Sequence, residues 1–226
     1  QSYLFTLPRA LMITSPAIQN IYCIGRNYVE HIAEMNQQQD EEILVFLKPN
    51  SAITLTGTPI RLPTFSSLVH YEAELVLLMA KMPPASSSLY KPLRYIEAYA
   101  VGIDLTARDI QNKAITAGLP WLKCKGFKQS ALLSSWVPSH KVAQANQLTF
   151  TLYCNGQLKQ TGDITKMIHP LEKIICHLHH IYGLKEGDII FTGTPKGVGS
   201  VHPKDHFQLN LFDKGKTLIE ASFDIA

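Results

Sequence analysis

The 226-residue sequence predicts an α+β fold that is rich in strands. Short apolar runs of β character outnumber the helical stretches. The two kinds of element do not alternate regularly, which argues against a doubly wound sheet. Turn signals at Asn155-Gly156 and Asp213-Lys214-Gly215 each separate two such runs, as in hairpins. With 46% hydrophobic and 17% charged residues, the chain can bury a full core without disulfides.

Residues 1–18, with Pro8 and Pro16, read as a short lead-in, and 19–226 as one domain. The apolar stretch Ile18–Ile24 predicts a strand closed by Gly25-Arg26-Asn27. Asn27 and Glu30 have the spacing of a helix N-cap and its partner, so a short helix is expected over 28–35, then a polar loop over 37–42. Strands are expected over 44–47, 52–55, 73–79 and 99–104, with a loop at Pro83–Ser88 and a short helix over 92–98. From Leu105 the pattern turns helical until Gly118 and Pro120 stop it. The alternation Leu148–Tyr153 predicts a half-exposed strand, returning over 157–160. Leu171, Ile174, Ile175 and Leu178 repeat at helical spacing within 170–182. A buried strand over 187–191 then enters the Gly-rich segment Thr192–Gly199, and strands over 207–212 and 217–223 close the chain.

Net charge is +3, from 21 Lys+Arg against 18 Asp+Glu, with no block of basic residues, so nucleic acid is not an expected partner. No apolar run approaches the roughly 18 residues of a membrane-spanning helix, so no membrane partner is expected either. Cys23, Cys124, Cys154 and Cys176 are scattered without a Cys-x-x-Cys pair. That argues against a zinc ribbon or a thioredoxin-type pair and fits a reducing cytosol.

Three carboxylates fall where the chain otherwise reads as buried. Glu72 and Glu74 lie two apart in an extended stretch, so both face one way while Ala73 packs the other way. Asp104 ends the apolar run from Tyr99. A buried carboxylate is costly unless paired or metal-bound, and an all-oxygen set suits Mg²⁺, Mn²⁺ or Ca²⁺ better than Zn²⁺. For Glu72 and Glu74 taken alone, a solvated strand face is the better account. His31 and Glu34 stand three apart on the short helix, where a carboxylate can fix an imidazole as a general base, while a surface His and Glu at the end of a short helix is the plainer account of the pair alone. Arg108 and Gln111 are expected on the helical face of Asp104, with Lys125 after the helix stop. Such a cation and amide group beside a metal could hold an anionic substrate and stabilise an enolate, while ordinary salt bridging is the plainer account. The Gly-rich turn can present backbone N–H groups to an anion but lacks the Walker A and Rossmann spacings. His177, His179 and His180 read as an exposed or oligomer-facing patch.

Five segments in register resemble the fumarylacetoacetate hydrolase family. They are Gly-Arg-Asn-Tyr-x-x-His-x-x-Glu (25–34), Phe-Leu-Lys-Pro (46–49), His-Tyr-Glu-x-Glu-Leu (70–75), Gly-Ile-Asp-Leu-Thr-x-Arg-Asp-x-Gln (102–111) and Thr-Gly-Thr-Pro-x-Gly-Val-Gly (192–199). The length and Met167-Ile168-His169 look like the small bacterial acylpyruvate hydrolase and oxaloacetate tautomerase/decarboxylase members. The resemblance implies a mixed β-roll with few helices, a homodimer, and Mg²⁺ or Mn²⁺ held by Glu72, Glu74 and Asp104. It implies a base dyad of His31 and Glu34 on a mobile lid, and Lys125 as the catalytic lysine. Arg108, Gln111, Gly193 and Thr194 would bind the substrate acid, with Tyr28 and Lys48 close by. The expected substrate is a small 2-oxo acid, turned over through an enolate by acylpyruvate hydrolysis or by oxaloacetate tautomerisation or decarboxylation. An isomerase or decarboxylase of a hydroxy-dienedioate, or a non-catalytic binding member, is the alternative. Lys128 replaces the family's Asp, so the loop after Lys125 is expected to shape the pocket differently.

Overall fold

The computed structural model describes residues 18–34, 42–84 and 91–226. The expected lead-in up to residue 17, Met35, most of the 37–42 loop and residues 85–88 lie outside the described residues. In chain order the strands are β1 (Ile21–Gly25), β2 (Leu44–Lys48), β3 (Ile53–Leu55), β4 (Val69–Tyr71), β5 (Ala73–Met79), β6 (Ile96–Asp104), β7 (Thr106–Ala107) and β8 (Ala131–Leu133). They continue with β9 (Val137–Pro138), β10 (Leu148–Cys154), β11 (Gln157–Asp163), β12 (Ile189–Phe191), β13 (Gly199–Ser200), β14 (His206–Asp213) and β15 (Lys216–Asp224). The helices are α1 (Val29–Glu34), α2 (Arg108–Ala117), α3 (Leu122–Lys125) and α4 (Leu171–Tyr182).

An eight-stranded mixed sheet runs β2-β1-β12-β5-β6-β8-β3, with β9 pairing on β6. Both of its faces are apolar. Leu75, Leu77, Tyr99, Val101 and Ile103 face a large core shared with Phe150, Leu152, Phe207 and Leu209 of the four-stranded sheet β11-β10-β14-β15. Val76, Leu78, Ala98, Ala100, Ile21, Cys23, Ile189 and Phe191 face the other way into a second, smaller core. Burial on both faces is why β5 is apolar without alternation from Leu75 to Met79, whereas β10 alternates with one face turned outward. The expected strand-rich α+β architecture is the observed one.

Several expectations shift in detail. The short helix expected over 92–98 is a 3₁₀ turn at Pro92–Tyr95, and Ile96 already belongs to β6. The stretch 105–118 is not helical throughout. Asp104 ends β6, the two-residue β7 follows, and α2 starts at Arg108. Asp104 therefore does not share a helical face with Arg108 and Gln111; they meet through the tertiary fold.

Asn27 does not cap α1. It is fully buried, and its amide nitrogen donates to the carbonyls of His169 (3.1 Å) and Thr192 (2.8 Å) while its Oδ1 accepts from the His169 N–H (2.7 Å). A buried amide that satisfies two acceptors and a donor is a clamp between three distant segments. Asn27→Ala is expected to destabilise the fold by about 2–4 kcal/mol, because it strands those groups without water. A urea melt checks this, and a loss below about 0.5 kcal/mol, the scale of an ordinary surface substitution, would contradict the clamp.

Candidate metal centre and active site

The ladder explains why the carboxylates meet. In register, Glu74 lies opposite Gly102 and Ala73 opposite Ile103, so the start of β5 adjoins the end of β6. The Asp104 N–H donates to the Glu72 carbonyl at 2.8 Å, holding the two ends together. Glu72 itself sits in the break between β4 and β5. On the other side of β5, β12 ends at Phe191 opposite Val76, which brings Gly193 beside Glu74. Glu74 and Asp104 fall on the parity of Val76, Leu78, Ala98 and Ala100, the face of the second core. Gly102 permits this packing, since a Cβ there would stand 2.7 Å from the Phe191 ring and 2.6 Å from the Leu132 carbonyl.

One oxygen each of Glu72, Glu74 and Asp104 lies within 4.8 Å of the others, and all three residues are buried. Cations surround them. Lys125 Nζ stands 2.7 Å from both Glu72 Oε2 and Asp104 Oδ2, and donates to Thr106 Oγ1 at 2.6 Å. The Arg108 guanidinium bonds Glu72 Oε1 and Gln111 Oε1, and its Nε reaches His70 Nδ1 at 3.3 Å. Gly193 donates its N–H to Glu74 Oε2 at 2.7 Å. Its φ of +105° and the Asn27 Cβ, which would lie 2.6 Å from a side chain there, require a glycine. Thr194 is oriented by Gln160, whose amide donates to Thr194 Oγ1 and the Pro195 carbonyl, both at 2.9 Å.

Electrostatics follow from this crowding. Burial, and after it the charge of Asp104, pushes the Glu74 carboxyl well above the usual carboxylate range, against the pull of the Gly193 amide. Burial works to discharge Lys125, but Asp104 and Glu72 outweigh it and the net shift is upward, so its ammonium stays charged. Burial and then Arg108 lower His70, whose Nδ1 accepts from the Arg108 Nε–H.

The oxygen set fits a divalent cation. Asp104 Oδ1 is buried with no aligned hydrogen-bond donor, although Lys48 Nζ lies 2.7 Å away. An out-of-line ammonium leaves that lone pair for another cation. Three convergent buried carboxylates and such an oxygen match a hard metal better than a structural ion-pair network alone.

Of the residues singled out in the sequence, Glu72, Glu74, Asp104, Arg108, Gln111, Lys125 and Thr194 line one cavity. Lys48 lies behind it. Its side chain is fully buried, and its ammonium faces Asp104 Oδ1 and the carbonyls of Ser130 (3.0 Å), Leu105 (3.3 Å) and Lys125. Tyr28 is buried beside a separate depression formed with Thr161, Asp163 and Lys166. Glu34 is exposed on α1, where both carboxylate oxygens accept from the Gly197 N–H at 3.1 Å. With the Glu30–Lys196 ion pair (3.1 Å) this lays α1 on the Gly-rich loop. His31 is on α1, but its side chain lies outside the described residues. Lys128 is exposed and the cavity lining does not include it; its neighbour Gln129 ties the loop to Pro59 and Arg61. His179 bonds the Pro83 carbonyl at 2.9 Å and His180 is exposed, so the histidine cluster lies apart from the centre.

The sequence did not single out His70, Thr106 or Gln160, which contact the site residues Arg108, Lys125 and Thr194. His70 stands two residues before Glu72 in a quoted segment, which was its only local signal. Gln160 acts across 87 residues on the Ala73 N–H and carries no local signal at all.

Fold and centre together define a strand-rich protein with a buried carboxylate site for a divalent cation, enclosed by lysine and arginine. The family profile described as fumarylacetoacetate (FAA) hydrolase, C-terminal, matches residues 20–221. The chain belongs to the fumarylacetoacetate hydrolase family. It is 39% identical over 193 residues to the mitochondrial oxaloacetate tautomerase FAHD1 of Bos taurus, covering 85% of this chain and 87% of that protein. It is 36% identical over 190 residues to the oxaloacetate tautomerase YcgM of Escherichia coli, covering 83% and 86%. Fumarylpyruvate hydrolase from Pseudomonas aeruginosa, solved with Mn²⁺ and pyruvate, superposes with a TM-score of 0.84 at 30% identity over 92% of this chain and 90% of that one.

Proposed function

We propose that this chain is a metal-dependent enzyme acting on a small 2-oxo acid through an enolate, with the keto–enol tautomerisation of oxaloacetate as its first activity. The observation that carries it is the buried triad Glu72, Glu74 and Asp104, set in one cavity with Lys125, Arg108 and Gln111. The two oxaloacetate tautomerases described above support the substrate. Hydrolysis of an acylpyruvate is the second reading, supported by the likeness to fumarylpyruvate hydrolase.

Glu72, Glu74 and Asp104 would hold Mg²⁺ or Mn²⁺, which when bound supplies Lewis acidity that favours enolate charge. Arg108 offers a planar fork to the substrate carboxylate, steadied by His70 and by Gln111. Lys125, kept charged by its acidic neighbours, stabilises negative charge on the substrate oxygen. The Thr194 hydroxyl, held by Gln160, orients the bound acid. His31 with Glu34 takes and returns the proton at the carbon beside the keto group, or delivers water in the hydrolytic reading. Lys48 acts from behind, fixing Asp104 and the backbone of Lys125.

The proposal includes residues 19–226 as one catalytic unit, a homodimer, and a reducing compartment read as the cytosol. All four cysteines stand free, which supports the reducing compartment. The test is a substrate panel of enol-oxaloacetate, acylpyruvates and hydroxy-dienedioates, with Mg²⁺, Mn²⁺ or chelator. Enol-oxaloacetate is expected to turn over fastest, to stop with chelator and to recover with either metal. Binding of a 2-oxo acid with no turnover across the panel would make the protein a binding member instead.

A further inference from the structure

We propose that Gln160 fixes the Thr194 hydroxyl as a hydrogen-bond donor into the cavity, and so acts as a positioning residue for a negatively charged oxygen of the bound acid. This rests on the function proposed above and deepens the part that Thr194 takes in it.

The direction of the Thr194 hydroxyl depends on which of its neighbours can donate and which can only accept. Gln160 lies on β11 and is buried, so its side chain must find its partners within the protein. The Ala73 N–H can only donate, and it reaches Gln160 Oε1 at 2.9 Å. The Pro195 carbonyl can only accept, and it takes an N–H of Gln160 Nε2 at 2.9 Å. These two partners, one at each end of the amide, leave a single orientation, with oxygen toward Ala73 and nitrogen toward Pro195. The other Nε2 N–H meets Thr194 Oγ1, also at 2.9 Å. A hydroxyl has one proton and two lone pairs. With Oγ1 accepting from Gln160, the Thr194 proton must go elsewhere, and among the described residues nothing accepts it. The side left to it is the cavity, which Thr194 lines with Arg108, Gln111 and Lys125. A carboxylate or enolate oxygen there is the acceptor that makes the strongest use of such a donor.

The frame around the amide is rigid. Ala73 is fully buried between Glu72 and Glu74, in register with Ile103 of β6. The Gly-rich loop lies directly on β11: a Cβ at Gly197 would stand 2.1 Å from the Lys159 carbonyl and 3.3 Å from Gln160 Cγ. One amide therefore spans the segment that carries two acidic ligands and the loop that carries the donor.

A double-mutant cycle on kcat and KM for enol-oxaloacetate tests this, with Gln160→Met, Thr194→Val and the two combined. Each single substitution is expected to lower kcat/KM by roughly 10- to 100-fold, the scale of one hydrogen bond to a charged oxygen. In the Thr194→Val background the cost of Gln160→Met is expected to shrink, because Gln160 acts through the hydroxyl. A purely structural Gln160 would cost the same in both backgrounds. Equal costs within about twofold, the usual scatter of independent sites, or an unchanged rate in Gln160→Met, overturn the proposal. Gln160→Glu keeps an acceptor for Ala73 but turns a second oxygen to Thr194, drawing the hydroxyl proton back. It is expected to lose at least as much as Gln160→Met, and it completes the cycle if Gln160→Met fails to fold. If wild type turns over no 2-oxo acid, the functional reading has failed, and the same cycle on the calorimetric affinity of the Mn²⁺-loaded protein for pyruvate decides Gln160. Equal costs there, or no binding by wild type, overturn the proposal as well.

Discussion

Asp104→Asn is expected to lower metal-dependent turnover by about a thousandfold or more, the scale of several kcal/mol of lost transition-state stabilisation. The substitution keeps the side chain's volume and one oxygen. It removes the negative charge that faces Lys48 at 2.7 Å and Lys125 at 2.7 Å, in a position with no solvent exposure. Affinity for Mn²⁺, read by titration calorimetry, is expected to fall alongside activity, while Glu72 still holds Lys125 and Arg108. Turnover near the wild-type rate at saturating metal would remove Asp104 from the centre and the metal assignment with it. A thermal melt separates this from simple unfolding.

Lys48→Met is expected to destabilise the protein by about 3–5 kcal/mol, the usual result of removing one partner from a buried ion pair. Methionine matches the length of the lysine stem. Its loss of charge leaves Asp104 Oδ1 and the carbonyls of Leu105, Ser130 and Lys125 without the ammonium that faces them. Both side chains are fully buried, so solvent screening takes little from the figure. Denaturant unfolding measures it, and a loss of less than about 1 kcal/mol would show that water or a shifted donor fills the place.

The framework was largely legible in the sequence, because hydrophobic periodicity reports burial directly. The run Ala73–Met79 and the alternation from Leu148 gave β5 and β10. β8 was missed: three residues, Ala131–Leu133, are too few to show a period, and pairing with β3 and β6 creates the strand. Asn27 was misread for a different reason. An amide before a helix is a good cap, and nothing local says that its partners stand 142 and 165 residues away. At the site, the residue types and order of the quoted segments located the triad. Depth was invisible: Lys48, expected close by the substrate, is fully buried against Asp104, while the divergent Lys128 faces solvent.

The strand order of the main sheet also sets a timetable for making the protein. β5 can pair with β6 early, but its other edge must wait for β12, which begins 110 residues after β5 ends at Met79. Until then an apolar strand with Glu74 near its start presents an unpaired edge, the kind of surface that joins other chains. Gly193, which caps Glu74, arrives with the same segment. The strand that covers the edge of β5 and the amide that caps Glu74 thus come from one segment, and a chain cut short before Ile189 is expected to expose that edge and aggregate.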